Sequence, residues 1–438
     1  MRNGFVKVFI ALVVVLFPCL GTAGQTTIRE IPAVATDGSL IRNYDDGVDI
    51  VYNSLNGPAF FYVDKNSGAV TEAEIPNLQS VTDMEIVGKE LYFCGEISNM
   101  PVVGRFVIPL FFFGGGQAEI VSISYTPTVN GITGVTTFNK LEVWYIDWND
   151  VHVYVIGHIT FGNPGWNIPD YTALFDCMYN GTVWSIEEIH DSGWDYRFYD
   201  LTVTASNLYV VGEKYGGGDY SNYYPLPPLP NSYILPGPSY TLSMLYVGYG
   251  QYHAIGQTLT ETLYGNEFVT ACSGRVEGNY GIVITHYSNP LTIVARYLIP
   301  NITGSSRFID LKYNPQDRRL YLMPDIVSSA VTDMIYVFDL SSLTAYAYQT
   351  ILPKVYSLDY QKNGDGAIVS GMTQNSCIGI WDAYKPDNGC ATAISLAVHT
   401  YYHTNDQWML DASASFPRNR LSFETPRLRT LGMEIICK

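Results

Sequence analysis

The segment that decides the fold is DMEIVGKELYFCGE, from Asp83 to Glu96, because it recurs later in the chain. Asp200 to Glu213 reads DLTVTASNLYVVGE and aligns with it without a gap, sharing the first Asp, the Leu-Tyr pair and the Gly-Glu pair. A looser copy, DLKYNPQDRRLYLMPD, begins at Asp310. In each copy, alternating apolar residues predict a short strand, the polar middle predicts a turn, and the following apolar run predicts a second, more buried strand. The repeated unit is therefore predicted to be a β-hairpin.

A second recurring motif supplies two further strands. FYVDKNSG, from Phe61 to Gly68, leads into another β-rich run, and YVFDLSS, from Tyr336 to Ser342, does the same. Each predicts a strand, a turn built on Asp and Ser, and a further strand. Together the two motifs predict four antiparallel strands per unit.

The unit repeats along most of the chain. Its second strand ends on a glycine or a proline in six copies, at Gly95, Gly157, Gly212, Gly274, Pro324 and Gly371. The spacing is slightly longer than the ~40–50 residues of a four-stranded propeller blade, and insertions account for the excess. A pair of β-sandwiches would fit the number of strands but not the near-constant period.

The chain ends supply the remaining strands. The stretch from Val48 to Pro76 holds the later strands of a unit with no evident opening strand, and residues 390–438 hold extra strand-like runs. We therefore predict an all-β fold, a β-propeller of four-stranded antiparallel blades. Seven blades are favoured over six or eight, with the ring closed by N- and C-terminal strands so that few edges are exposed.

The hairpins ending in LYFCGE, at Leu91 to Glu96, and LYVVGE, at Leu208 to Glu213, resemble those of exported bacterial β-propeller repeat proteins of uncharacterised function. The resemblance extends over most of the chain at the level of these short motifs. It implies the fold and no activity. The sequence has neither the WD-dipeptide blade pattern nor the Asp-box of sialidases, so no catalytic residue is carried over.

The N-terminus has the features of a signal peptide. The basic residues Arg2 and Lys7 precede an apolar run, VFIALVVVLF from Val8 to Phe17. Small residues at Gly21 to Ala23 then suit cleavage by a signal peptidase. The apolar run is about half as long as the ~20 residues that a membrane span needs.

We therefore expect residues 1–23 to be a signal peptide and residues 24–438 to form a single exported domain, which is periplasmic, at the cell surface or secreted. No membrane span is expected. A lipid anchor at Cys19 is the less favoured alternative, because the residues before it suit lipidation poorly.

Composition argues against one class of partner. The chain has 24 Lys and Arg residues against 41 Asp and Glu residues, a formal net charge of −17. Nucleic acid binding depends on neutralising phosphates with Lys and Arg, so no nucleic acid partner is expected. Acidity otherwise indicates solubility and does not identify a ligand.

The first candidate site is a polar position at the start of the first hairpin strand, occupied by Asp83, Asp200 and Asp310, with Arg197 and Arg307 nearby. In a propeller these strand starts surround the central channel at one end. The side chains could bind sugar hydroxyls, or Ca²⁺ through converging carboxylate oxygens, although no cofactor is firmly predicted. The favoured alternative is structural, with each Asp accepting backbone N–H groups at its own turn and pairing with a neighbouring Arg.

The second candidate site is an insertion that breaks the repeat. Residues 215–240 read YGGGDYSNYYPLPPLPNSYILPGPSY. Its prolines disfavour sheet pairing, and its tyrosines offer amphipathic faces for carbohydrate stacking or protein contact. The candidate binding residues are Tyr215, Tyr220, Tyr223, Tyr224 and Tyr233. An equally weighted alternative is a loop that folds back onto its own prolines.

Six cysteines follow residue 23. Cys377 with Cys390, or Cys390 with Cys437, are plausible disulfides in an oxidising compartment. Cys94, Cys177 and Cys272 lie in apolar, strand-like runs and are predicted to be buried thiols.

No catalytic constellation is recognisable, since the HTYYH segment at 399–403 lacks the Glu of a zincin and no G-x-S-x-G motif occurs. The function favoured by the sequence is an exported binding or scaffold module for a glycan or a protein. The alternative is a polysaccharide-active hydrolase or lyase with its site at the channel mouth.

Overall fold

The computed structural model describes residues 28–410 and 434–436, apart from 37, 46, 55–57, 130–131, 148–149, 163–170, 192–195, 205–206, 215–230, 235–242, 245–251, 255–258, 277–278, 289–291, 301–306, 326–333, 363–365, 385–392 and 405–406. The predicted signal peptide, residues 1–23, lies outside this part of the chain. Within it, no helix combines the length and the apolarity that crossing a membrane requires.

The described chain is a succession of strands with one short π-helix, Leu110–Gly114. The strands of the first half are β1 Ile28–Val34, β2 Leu40–Asp45, β3 Val48–Asn53, β4 Ala59–Asp64, β5 Val70–Glu74, β6 Leu78–Val87, β7 Glu90–Ile97, β8 Met100–Val107, β9 Glu119–Ser122, β10 Thr128–Val129, β11 Ile132–Thr133, β12 Val135–Asp147, β13 Asp150–Thr160, β14 Tyr171–Tyr179, β15 Trp184–Asp191, β16 Tyr196–Val203 and β17 Asn207–Lys214. Those of the second half are β18 Asn231–Ile234, β19 Ser243–Met244, β20 Tyr252–Ala254, β21 Leu259–Tyr264, β22 Glu267–Val276, β23 Asn279–Ser288, β24 Thr292–Pro300, β25 Arg307–Asn314, β26 Arg319–Asp325, β27 Met334–Asp339, β28 Thr344–Gln349, β29 Lys354–Tyr360, β30 Gly366–Met372, β31 Cys377–Tyr384, β32 Ala393–Leu396, β33 His399–Thr404, β34 Gln407–Leu410 and β35 Glu434–Ile436.

The strands form antiparallel sheets built from consecutive hairpins. Among the described residues, seven sheets contain four or more strands, with the orders β2-β3-β4-β5, β6-β7-β8-β9, β12-β13-β14-β15, β16-β17-β18-β19, β20-β22-β23-β24-β33-β34 with β21 also paired to β22, β25-β26-β27-β28-β32-β35, and β1-β31-β30-β29. The predicted all-β class, a propeller of four-stranded antiparallel sheets, is confirmed.

The innermost strands of successive sheets lie side by side. β2, β6, β12, β16, β21, β25 and β29 contact one another in this order, and β29 also contacts β2. The sheets pack face to face because their second and third strands are apolar on both sides, as in the core that joins Phe60 of β4 to Phe93 and Phe106 of the next sheet. Polar side chains on the innermost strands therefore face a shared central channel.

The chain ends pair in different places. β1 is the outermost strand beside β31, with Ile28 opposite Trp381. The C-terminal strands instead extend the outer edges of two other sheets, where β33 pairs with β24 and β32 pairs with β28. The predicted number of blades and their closure by both chain ends stay predictions.

One sequence expectation was wrong. The unit beginning near Val48 does have its own opening strand, β2. Its residues Arg42 and Asn43 are polar yet buried, so the strand lacks the apolar alternation by which the others were recognised.

Candidate functional site

Five of the six residues that mark the repeat lie opposite irregularities in the innermost strands, whereas Gly274 pairs with Ala254 of β20. Gly95 pairs with Val81, and the register shifts between Val81 and Asp83. A Cβ atom on Gly95 would lie 1.9 Å from the carbonyl oxygen of Ser80, so only glycine allows this close approach. A β-bulge re-aims the side chain that follows it. The corresponding shift precedes Lys140, Asp200, Asp310 and Ser357 in four other sheets.

The three predicted aspartates join neighbouring sheets. An oxygen of each carboxylate accepts a hydrogen bond from a backbone N–H group of the next innermost strand. The pairs are Asp83 with Leu141 at 3.2 Å, Asp200 with Thr260 at 2.9 Å, and Asp310 with Leu358 at 3.2 Å. Asp359, which the sequence analysis did not single out, accepts the N–H of Asn43 at 2.7 Å in the same way. Each recurring Asp therefore links its own sheet to the following one, and its predicted part in ligand binding stays a prediction.

Arg42 is a central member of this network that sequence reasoning missed. Its Nη2 lies 2.9 Å from Asp83 Oδ1, and its Nη1 lies 3.9 Å from Asp310 Oδ2. Its Nε donates to the carbonyl oxygen of Met84, and its Nη1 donates to that of Ile41. Arg42 is 5% exposed. Burial acts to lower its pKa, but the surrounding carboxylates, led by Asp310 and Asp83, raise the pKa overall.

Further charged side chains continue the network, which we call the axial cluster: Arg42, Asp83, Glu85, Lys140, Glu142, Asp200, Glu261, Asp310, Lys312 and Asp359. Lys140 occupies the position that Asp takes in other sheets. Burial acts to lower its pKa, but the charges of Asp83, Asp200 and Asp310 raise it overall, so the ammonium stays protonated. Burial acts to raise the pKa of Asp83, but Lys140 and Arg42 lower it overall.

The glutamates of the axial cluster behave in the opposite way. Burial raises the pKa of Glu261 to about 8. It also raises the pKa of Glu85 and of Glu142, the latter with help from the charges of Glu85 and Glu261. Burial raises the pKa of Asp200 to about 6. At neutral pH the cluster therefore mixes ionised aspartates with protonated carboxyl groups.

The axial cluster does not provide a metal site in the described part of the chain. Within those residues, no group of three or more His, Cys, Asp or Glu side chains is arranged to hold a metal ion. The Ca²⁺ expectation for Asp83, Asp200 and Asp310 therefore has no supporting geometry here.

The other predicted site residues are only partly described. Arg197 and Arg307 lie in β16 and β25, where their backbones pair with Glu213 and Asp325. Tyr233 lies in β18 opposite Leu208. The structure describes only the backbones of these three residues. Four further candidates lie outside the described part of the chain: Tyr215, Tyr220, Tyr223 and Tyr224.

No disulfide bond is present among the described residues. None joins Cys94, Cys177, Cys272 or Cys377, and both Cys390 and Cys437 lie outside the described part. Cys94 and Cys177 belong to one apolar core, where burial raises the pKa of both thiols. They are packing residues, as the sequence predicts.

A pocket that the sequence analysis did not single out opens at the end of the sheets where the innermost strands finish. We call this the hairpin end, because the turns β2–β3 and β4–β5 lie there. The hairpin-end pocket has a volume of about 510 Å³. Its lining residues are Tyr44, Asp45, Gly47, Val48, Asp64, Asn66 and Lys362.

The polar groups of the hairpin-end pocket are held in place but not saturated. Asp45 Oδ1 accepts the N–H of Gly47 at 2.8 Å, and Asp64 Oδ1 accepts the N–H of Asn66 at 2.8 Å. Lys362 Nζ donates to the Tyr44 carbonyl oxygen at 3.1 Å. A carboxylate has about four acceptor sites, so Asp45 and Asp64 can accept hydrogen bonds beyond those within their turns. Backbone N–H groups of Ser67 and Asn66 lower the pKa of Asp64, so this carboxylate stays ionised.

The aromatic side chain of Tyr62 lies near the same pocket and contacts further rings. Tyr62 lies close enough to Asp45 and Tyr44 that their charges add to burial in raising its pKa. The Tyr62 ring centroid is 4.9 Å from that of Phe113 and 5.5 Å from that of Phe112. Phe113, in the π-helix, is 62% exposed. The LFFFGGG run between β8 and β9 is the sequence signal that could have found this surface, because it departs from the repeat.

The first of three similar solved structures supports the fold, and the other two have TM-scores below 0.5. The β-propeller domain of Cps50 (Swd1) from Myceliophteria thermophila has a TM-score of 0.52 and 8% identity, covering 81% of this chain and 99% of that one. YCF48 bound to a D1 peptide has a TM-score of 0.46 and 10% identity, covering 82% and 95%. The β-propeller domain of the Trilobed protease from Pyrococcus furiosus has a TM-score of 0.46 and 10% identity, covering 79% and 93%. At these identities the similarities concern the fold and not the function.

The sequence comparisons give no family. No protein-family model matches the chain, and no curated protein matches it either.

Proposed function

We propose that the protein is an exported β-propeller that acts as a binding or scaffold module for a glycan or a protein, in the periplasm, at the cell surface or in secreted form. The observation that carries this proposal is the hairpin-end pocket, which combines several polar side chains with the nearby aromatic ring of Tyr62. Pockets of this kind, with a few convergent polar groups, are the usual places where ligands bind. The hairpins that resemble those of exported bacterial propellers, and the N-terminal segment, support export.

The catalytic alternative, a polysaccharide-active hydrolase or lyase at the channel mouth, has less support. A general acid or a nucleophile must reach the substrate. The channel aspartates instead use an oxygen each to bond the neighbouring sheet, and two of the raised-pKa glutamates also accept backbone N–H groups, from Val143 and Val203.

Export can be tested by determining the N-terminal residue of the protein recovered from outside the cytoplasm. Cleavage after Ala23 gives a chain that begins at Gly24. A chain that begins at a lipidated Cys19 would replace the soluble form with an anchored one, and recovery of the uncleaved chain only from the cytoplasm would contradict export.

Binding can be tested by screening the purified protein against arrayed glycans and against extracytoplasmic proteins. We expect saturable binding to at least one of these ligand classes. A deletion of residues 216–238 in parallel separates the Tyr/Pro/Gly-rich insertion from the hairpin-end pocket. Absence of saturable binding to both ligand classes would contradict the proposed function.

A further inference from the structure

The hairpin-end pocket brings together residues from distant parts of the chain. Lys362 follows β29, whereas Tyr44 belongs to β2, 318 residues earlier. The backbone N–H of Lys362 also donates to Asn43 Oδ1 at 2.9 Å. Two sheets therefore position the pocket, and its shape does not depend on one loop.

The charges of the pocket oppose an anionic ligand. Its lining carries two carboxylates, Asp45 and Asp64, against one ammonium, Lys362, and the chain has a formal net charge of −17. This negative field repels an anion, whereas a neutral ligand meets no such repulsion.

The hydrogen-bonding groups of the pocket suit hydroxyls. Asp45 and Asp64 each present an acceptor oxygen, Lys362 is a donor, and both Asn66 and the Tyr44 hydroxyl can donate and accept. A sugar hydroxyl also donates and accepts, so neighbouring hydroxyls can bond to a carboxylate and to the ammonium at the same time. An apolar ligand would leave these groups unpaired, which costs free energy.

The aromatic rings supply the remaining surface that a sugar requires. A pyranose ring has an apolar face, and an aromatic ring beside polar groups packs against such a face. Tyr62, which lies near Asp45 and Tyr44 of the pocket lining, is in edge contact with Phe113 at an interplanar angle of 83°, and Phe113 is 62% exposed.

From these observations we propose that the hairpin-end pocket binds a neutral glycan, with Asp45, Asp64, Asn66 and Lys362 bonding its hydroxyls and with Tyr44, Tyr62 and Phe113 packing against its sugar rings. The assignment rests on the proposed function and adds the ligand class and the site. The residues of this assignment are different from those of the Tyr/Pro/Gly-rich insertion and from those of the axial cluster.

The test measures binding of the full chain to soluble polysaccharides by titration calorimetry, using a neutral mannan, a neutral glucan, an acidic polygalacturonate and a cationic chitosan at equal ionic strength. We expect binding to at least one neutral polymer. Tyr44→Ala and Phe113→Ala should each weaken this binding at least tenfold, and Lys362→Met should weaken it about fivefold. Tyr44→Phe, which removes only the hydroxyl, should have a smaller effect than Tyr44→Ala.

Tyr280→Ala is the matched control, because Tyr280 is a 50% exposed tyrosine of β23, away from the pocket. It should bind like the parent protein, and thermal unfolding of every variant separates loss of binding from loss of fold.

Three outcomes would overturn the assignment while leaving the proposed function intact. They are neutral-glycan binding that the pocket variants do not change, binding confined to a charged polymer, and binding confined to protein ligands. Failure to bind any glycan or protein would remove the proposed function together with the assignment.

Discussion

The axial cluster and the hairpin-end pocket contain similar residue types but use them differently. In the axial cluster, Asp83 bonds both Arg42 and the backbone of the next sheet. In the pocket, Asp45 and Asp64 bond only their own turns through one oxygen. The comparison shows that burial and partners, and not residue type, distinguish a carboxylate that stabilises the fold from one that can bind a ligand.

Replacing Arg42 should have the largest effect on stability. Arg42→Ala leaves Asp83 without its guanidinium partner and removes one donor from each of two backbone carbonyl oxygens, those of Met84 and Ile41. Breaking a buried ion pair from one side costs about 3–5 kcal/mol, so we expect a loss of this size in the free energy of unfolding. Urea unfolding measures it. Lys362→Met in the pocket serves as the comparison, and an equal loss in both variants would contradict the distinction between the two regions.

The second prediction concerns the bulge that aims Asp83 at the channel. Gly95→Ala places a Cβ against the Ser80 carbonyl oxygen, so the two backbones must separate. Overpacking of this kind costs about 1–3 kcal/mol. Gly162→Ala is the control, because a Cβ there meets nothing within 4 Å. Equal stability of the two alanine variants would show that the close approach is not required.

The strands around Asp83 and Arg42 also show which features the sequence could predict. The hairpins at Asp83 and Asp200 were identified because apolar alternation and a repeated glycine are local patterns. The role of the aspartates was only partly predicted, because the N–H group bonded to Asp83 belongs to Leu141, in a different sheet. Strand β2 was missed because its channel-facing residue is Arg42.

The hairpin-end pocket could not be predicted for a related reason. Lys362 and Tyr44 meet only when the first and last sheets come together, so no local motif contains the site. The Tyr/Pro/Gly-rich insertion attracted the sequence prediction because its composition is unusual, and unusual composition is a local property. Its proposed role in binding stays a prediction.

The third prediction uses pH. The pKa of Glu261 is about 8 in the folded protein against an ordinary value of 4.5. Between these values the folded protein retains a proton that the unfolded chain has released, so the free energy of unfolding falls as the pH rises from about 5 to 8. Glu261→Gln should reduce this fall by about 1 kcal/mol or more, since one pKa unit corresponds to about 1.4 kcal/mol. Urea unfolding across this pH range measures it.

For Asp83→Asn we expect the effect on the free energy of unfolding to change with pH in the opposite direction. The pKa of Asp83 is lowered in the folded protein, so its carboxylate stabilises the fold above its ordinary pKa and loses this contribution as the pH falls. Asp83→Asn should therefore cost more at pH 7 than at pH 3. Parallel pH profiles for the two variants would contradict the division of the axial cluster into ionised and protonated carboxyl groups.

The smallest effect on stability is expected at Phe113. This exposed residue can be compared directly with a buried phenylalanine nearby in the sequence, Phe106. Phe113 is 62% exposed, so Phe113→Ala should change the free energy of unfolding by no more than about 0.5 kcal/mol. Phe106 lies in β8, the strand just before the π-helix, is 2% exposed and packs against Phe60. Phe106→Ala should cost as much as Arg42→Ala. If the Phe113 side chain contributes little to folding but is needed for glycan affinity, its role is to provide binding surface. If Phe113→Ala unfolded the protein as readily as Phe106→Ala, the ring would belong to the core, and its assignment to the binding surface would be lost.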